Sequence, residues 1–269
     1  MDNLFEVIKS RRSYRSFDGA ALSEADREKI MEYAKGIENP FGTDIEFRLL
    51  DAKEHGLTSP VLTGATLYVA AKTKKADYKT DLAYGYVFED FVLYCQSLGI
   101  GTVWIAGTFN RGAFEKAMEV GEGEVMPCMT PVGYPAKKMS VKESMMRTGV
   151  KADSRKAAAE LVFDGAFGAP LAPASDAIAN AIEMMRWAPS AVNKQPWRVI
   201  YKDGKYHFYE KRDKGYDNGK FDLQMIDVGI GLSHFVLALK DAGYDPQFEF
   251  ADPGIEIPSN VKYAVSVIV

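Results

Sequence analysis

A chain that repeats itself is constrained to fold as two similar pieces. Here Gly85, Phe91-Val92-Leu93 and Gly99 recur as Gly229, Phe235-Val236-Leu237 and Gly243, all at one constant offset. Between the glycines, Val87, Phe91, Tyr94 and Leu98 follow helical spacing, as do Leu232, Phe235 and Leu239 in the second copy. Each run predicts a long buried helix that stops at a glycine suited to the left-handed position after the last turn. The period is far longer than the roughly 20–50 residues of a solenoid unit.

Flanking elements correspond too. Ser23-Glu24-Ala25-Asp26 and Ser175-Asp176 read as helix N-termini, with Ile30 and Tyr33, or Ile178, Ile182 and Met185, on the buried face. Strands are predicted over 45–50, 65–71, 198–201, 206–209 and the β-branched close at 261–269. Charged, helix-like pieces over 137–174 run into the connector Gly165-Ala166-Phe167-Gly168-Ala169-Pro170. That connector divides residues 1–165 from residues 166–269. The expected fold is α+β, with two halves in tandem, each a small, mainly antiparallel sheet packed by helices. Two copies in one chain are expected to pack as a pseudo-dimer, as homodimers do about a true axis.

Composition narrows the partners. At 269 residues, 47% hydrophobic and 26% charged, the chain is ordinary globular material. A net charge of -4 offers no long-range attraction to nucleic acid or anionic membrane. Cys95 and Cys128 form no CxxC motif, so a reducing, cytoplasmic setting is expected. The first residues lack a signal peptide's basic and apolar regions, and no apolar run reaches the roughly 18 residues that span a bilayer. His55, His207 and His234 lack metal-ligand spacing, and neither G-x-S-x-G nor H-E-x-x-H occurs. Gly99-x-Gly101 and Gly229-x-Gly231 lack the third glycine of a dinucleotide fingerprint. Hydrolase, metal and Rossmann chemistry are therefore not expected.

The chemistry-bearing segments differ between the copies. Arg11, Arg12, Ser13 and Arg15 crowd mutually repelling guanidiniums beside a hydroxyl, which suits an external phosphate. Taken alone, they read equally as a solvated basic turn. Ser154-Arg155-Lys156 is a second basic segment that alone reads as an exposed helix start. Leu98 to Gly107 reads as a helix end and then a buried strand leaving through Ala106-Gly107, where a missing Cβ lets a backbone amide approach a ligand. The loop Ala188-Pro189-Ser190-Ala191-Val192-Asn193-Lys194-Gln195-Pro196-Trp197 offers hydroxyl, amide and backbone groups but little apolar area. The first copy has Glu38 to Asp44 in its place, and the second has nothing like Ser10 to Phe17 after Gly165. If each half supplies part of one site, one complete site is expected, not two.

Together these segments resemble the FMN-dependent nitroreductase family, in its branch where two units are fused as a pseudo-dimer. The family's R-R-S-x-R-x-F stands as Arg11 to Phe17, its G-x-G-x-x-W-I-x-G as Gly99 to Gly107, and its A-P-S-x-x-N-x-Q-P-W as Ala188 to Trp197. Gly133-Tyr134-Pro135 and the basic segment at 154–156 complete the order. The resemblance implies that Arg11, Ser13 and Arg155, with Arg12 beside them, hold the FMN phosphate. It implies that Arg15 faces the pyrimidine edge, that Ala106 and Gly107 present amides near N5 and O4, and that Pro189, Ser190, Ala191 and Asn193 cover the ribityl chain and the dimethylbenzene edge. Asp153, where many relatives are basic, and Ala106, where a polar residue or glycine is common, are departures. The implied activity is hydride transfer from NADH or NADPH through one FMN to a small acceptor such as a nitroaromatic or quinone, in ping-pong order. The flavin does this chemistry, so no side chain is named as catalytic. The rival readings are a flavin carrier or sensor without turnover, and a degenerate pseudo-dimer with an interaction role. Either way a monomer is expected.

Overall fold

The structure, a computed structural model, describes residues 3–269. In chain order its elements are α1 (Leu4–Ser10), α2 (Glu24–Lys35), β1 (Glu46–Asp51), β2 (Leu67–Lys74), α3 (Tyr78–Ser97), α4 (Arg111–Ala117), β3 (Glu124–Val125), β4 (Met129–Pro131), α5 (Val141–Gly149), β5 (Val162–Asp164), α6 (Asp176–Trp187), β6 (Trp197–Lys202), β7 (Lys205–Lys211), α7 (Leu223–Asp241), β8 (Gln247–Glu249) and β9 (Val261–Ile268). They form two compact units. Unit 1 holds Ser10–Lys75 and Asp90–Ala152; unit 2 holds Asn3–Lys9, Ala76–Glu89 and Asp153–Val269.

In unit 1, β2 is the central strand because its sequence is apolar on both faces; every residue from Leu67 to Thr73 is buried. It pairs antiparallel with β1 on one side and with β3 and β4 on the other. Leu50, Tyr68, Ala70, Val103, Ile105, Phe114 and Met129 make one core cluster beneath it. The Ser23 hydroxyl caps α2 by accepting the Asp26 N–H, as its sequence predicts. The strand expected after Gly99 is only partly regular. Residues 100–105 are extended and mostly buried, but they join neighbours through single bridges at Gly101, Thr102 and Ile105. Residues 129–133 flank this stretch on one side and Ser13 on the other, and between the two antiparallel bridges the Val103 N–H donates to the Thr130 hydroxyl at 3.0 Å instead of to a backbone carbonyl.

Unit 2 carries a five-stranded sheet in the order β5-β6-β7-β9-β8, antiparallel except for the parallel β5–β6 pair. β5 precedes the connector at 165–170 yet pairs with β6, so the compact unit begins earlier than the sequence division at 165. The Ser175 hydroxyl caps α6 and the Asp222 carboxylate caps α7. α7 is long and apolar enough to cross a membrane, but 78% of that window is buried inside the protein, as a core helix requires.

The repeated glycines have a steric cause. A Cβ on Gly85 would lie 1.9 Å from the Ile226 carbonyl oxygen, and one on Gly229 would lie 2.1 Å from that of Leu82. The start of α3 and the middle of α7 therefore cross backbone against backbone, in a reciprocal contact made by equivalent residues. Glu89 and His234, both fully buried, join at 2.8 Å beside the crossing, while His234 Nδ1 lies 3.0 Å from the Met184 carbonyl.

Candidate functional site

In unit 1 the Arg-rich segment is an extended thread rather than a turn. Ser13 bridges Thr102 in parallel, with the Tyr14 N–H donating to the Thr102 carbonyl at 2.9 Å. The Phe17 N–H donates to the Thr63 carbonyl and the Thr63 N–H to that of Arg15, each at 2.9 Å. Asp18 N–H donates to the Tyr134 carbonyl, and Phe17 bridges Pro135. Three of the sequence segments thus meet: 11–17, 99–107 and 133–135. Glycine is what lets them. A Cβ on Gly101 would press on the Tyr14 side chain at 3.1 Å and on Pro135 at 3.0 Å, and one on Gly133 would press on the Phe17 ring at 3.0 Å.

Within this thread Arg11 is buried, while Arg12, Ser13 and Arg15 are half-buried. The Arg12 guanidinium lies over the Tyr14 ring at 4.6 Å, and its Nε is buried with no hydrogen-bond partner among the described residues. Burial draws the Arg15 guanidinium below its ordinary pKa, with the charge of Glu143 opposing and that of Arg147 adding to the shift. Ala106 is held from outside the motif. Arg111 donates to the carbonyls of Ala106 and Met126 at 2.6 Å and to that of Pro127 at 3.0 Å. Gly107 is exposed, and open space lies where its Cβ would be.

In unit 2 the basic segment at 154–156 meets the Pro-Ser-x-x-Asn loop. Asn193 Nδ2 donates to the Ser154 carbonyl at 3.0 Å, and the Lys156 N–H donates to Gln195 Oε1 at 2.9 Å. Arg155 donates to the Trp187 carbonyl at 3.3 Å and lies 5.2 Å from the Trp187 ring centre. Lys9 lies over the same ring at 4.5 Å and pairs with Glu183 at 3.0 Å. Ser190 Oγ accepts the Gln195 N–H at 2.8 Å, so this hydroxyl shapes its own loop. The loop is strained: Val192, Asn193 and Gln195 have φ of 50°, 56° and 51°. A β-branched residue seldom adopts that region. Strain of this kind gathers at ligand-binding loops.

The expected residues therefore fall in two groups, with Arg11, Arg12, Ser13, Arg15, Ala106 and Gly107 in unit 1 and Arg155, Pro189, Ser190, Ala191 and Asn193 in unit 2. Sequence reasoning missed the residues that hold them. The Ala191 N–H donates to both oxygens of the buried Asp227, at 3.1 and 3.0 Å. Burial drives that carboxyl well above its ordinary pKa; the Ala191 N–H opposes this, and the charges of Asp222, Glu210 and Glu89 add to it. Its signal was a lone acid inside the apolar run Met225-Ile226-Asp227-Val228. Glu143 was hidden because Ser140-x-x-Glu143 reads as a helix cap. Arg111 belongs to no motif. Among the described residues no His, Cys, Asp and Glu group is arranged to hold a metal.

A family model described as "Putative TM nitroreductase" matches residues 3–239. Among solved structures, a "putative nitroreductase" from Thermotoga maritima superposes with a TM-score of 0.63 at 19% identity, over 99% of this chain and 93% of that one. A nitroreductase with bound FMN from Bacteroides fragilis gives 0.43 at 18% identity, over 53% of this chain and 94% of that one. An FMN-dependent nitroreductase from Clostridium difficile gives 0.41 at 20% identity, over 52% and 93%. No curated protein matches.

Proposed function

The chain belongs to the "Putative TM nitroreductase" family, and from that membership we propose that it is an FMN-dependent oxidoreductase. It takes hydride from NADH or NADPH and passes two electrons to a small acceptor such as a nitroaromatic or quinone, in ping-pong order. The observation that carries the reading is the meeting of residues 11–17 with 99–107 through the Ser13–Thr102 bridge. Arg11, Arg12, Ser13 and Arg15 lie within five residues of that thread, and the buried Arg12 Nε has no hydrogen-bond partner among the described residues. Guanidiniums and a hydroxyl so placed fit a phosphate dianion.

When bound, FMN would supply the hydride chemistry. The chain's own work is binding and orientation. Arg11, Arg12 and Ser13 are proposed to hold the phosphate, together with Arg155. Arg15 is proposed to place positive charge at the pyrimidine edge. Ala106, fixed by Arg111, and the uncrowded Gly107 are proposed to present backbone amides. Pro189, Ser190, Ala191 and Asn193 are proposed to cover the ribityl chain, their loop pinned by Asp227. Cys95 and Cys128 are both buried, and a reducing, cytoplasmic setting is proposed for the chain.

Anaerobic mixing of the FMN-loaded protein with NADH or NADPH tests this. The flavin absorbance is expected to bleach, and to return when a nitroaromatic or quinone is added. Protein that binds FMN but is not bleached by either nucleotide is a carrier or sensor instead.

A further inference from the structure

α5 is turned the opposite way from what its sequence favours. Val141 is 78% and Met145 70% exposed, while Glu143, at 2%, is the residue the helix buries. A carboxylate taken out of water is costly unless donors and opposite charge meet it. What meets this one is Arg15. The Arg15 N–H donates to Glu143 Oε2 at 3.2 Å, and the carboxylate's charge supports the Arg15 guanidinium against burial and against Arg147, one turn further along α5. The helix start is tied to the same thread. Ser140 N–H donates to Ser16 Oγ at 3.3 Å, and Ser140 Oγ accepts the Glu143 N–H at 3.1 Å.

We propose that Glu143 is a positioning residue for the redox reaction, fixing Arg15 and setting how much positive charge this segment offers a bound flavin. The inference rests on the reading that FMN binds at Arg11–Arg15. Around Arg15, its own guanidinium, that of Arg147 and the Glu143 carboxylate sum to a single positive charge; without the carboxylate there are two. Extra positive charge favours the flavin form that carries extra negative charge, which is the two-electron-reduced form. Glu143 therefore holds the flavin potential down and keeps the reduced cofactor a ready electron donor.

The test is the two-electron midpoint potential of the FMN-loaded protein, read against reference dyes together with the dissociation constant for oxidised FMN. Glu143→Gln keeps the shape and removes the charge. The ratio of oxidised to reduced FMN dissociation constants is expected to rise about tenfold, a positive shift of ~30 mV for a two-electron couple. Glu143→Asp is expected to return toward the wild-type value. Should Glu143→Gln fail to fold, Arg147→Gln gives the mirror measurement, with a shift of similar size toward negative potential. A flavin-loaded variant whose potential ignores either change overturns the inference. Wild-type protein that takes up no FMN sinks the functional reading itself, which is a different result.

Discussion

Glu210 shows how a single buried charge can report on the whole of unit 2. It lies on β7, fully buried, with Arg212 at 3.6 Å. Burial, reinforced by the negative charge of Asp222, pushes its carboxyl up from 4.5 to about 8, and Arg212 only partly opposes this. The folded protein then keeps a proton that the unfolded chain gives up. Its stabilising effect is complete below about 4.5 and is lost as pH rises through about 8. Glu210→Gln is accordingly expected to raise Tm relative to wild type by an amount that grows from pH 5 to pH 9, with each kcal/mol worth about 2–4 °C in a protein of this size. Thermal melts across that range check it; a difference that does not change with pH contradicts it. The strained residues 192–195 make a similar point about legibility. Pro189, Ser190 and Asn193 were visible as loop chemistry, but the left-handed backbone at Val192 was not, because nothing in a valine announces it.

At the level of elements, the helices were readable because their apolar spacing persists over many turns. α2, α3, α6 and α7 stand where periodicity and Ser caps place them, and β1, β2, β6, β7 and β9 lie on the expected strands. The two- and three-residue strands β3, β4, β5 and β8 are too short to show a period of two. Residues 100–105 carry a buried strand's composition but are shared between residues 129–133 and the thread at Ser13, which composition does not encode. The glycine repeat was legible as a pattern, and its cause emerges only from the crossing of α3 and α7. Gly229→Ala is expected to cost about 3 kcal/mol or more, at the upper end for overpacking, because the obstruction is the backbone at Leu82 and cannot rotate away. Chemical denaturation measures this directly, and a loss below about 0.5 kcal/mol, within the range of an ordinary surface change, contradicts the close crossing.

For the molecule as a whole, order along the chain and grouping in space differ. The 165/166 division rests on a Gly/Pro/Ala-rich connector, whereas Asn3–Lys9, Ala76–Glu89 and residues from Asp153 onward belong to one compact unit. Long-range pairing such as β5 with β6 decides this, and a linker's composition carries no record of it. The motif segments were legible one by one. The structure adds that 11–17, 99–107 and 133–135 meet in unit 1, and that 154–156 meets 190–195 in unit 2. The Arg-rich thread occurs once in the chain and the Pro-Ser-x-x-Asn loop once. Titration of cofactor-free protein with FMN, followed by calorimetry, bears most directly on this account. One FMN per chain is the expected stoichiometry; no uptake, or two FMN per chain, would contradict it.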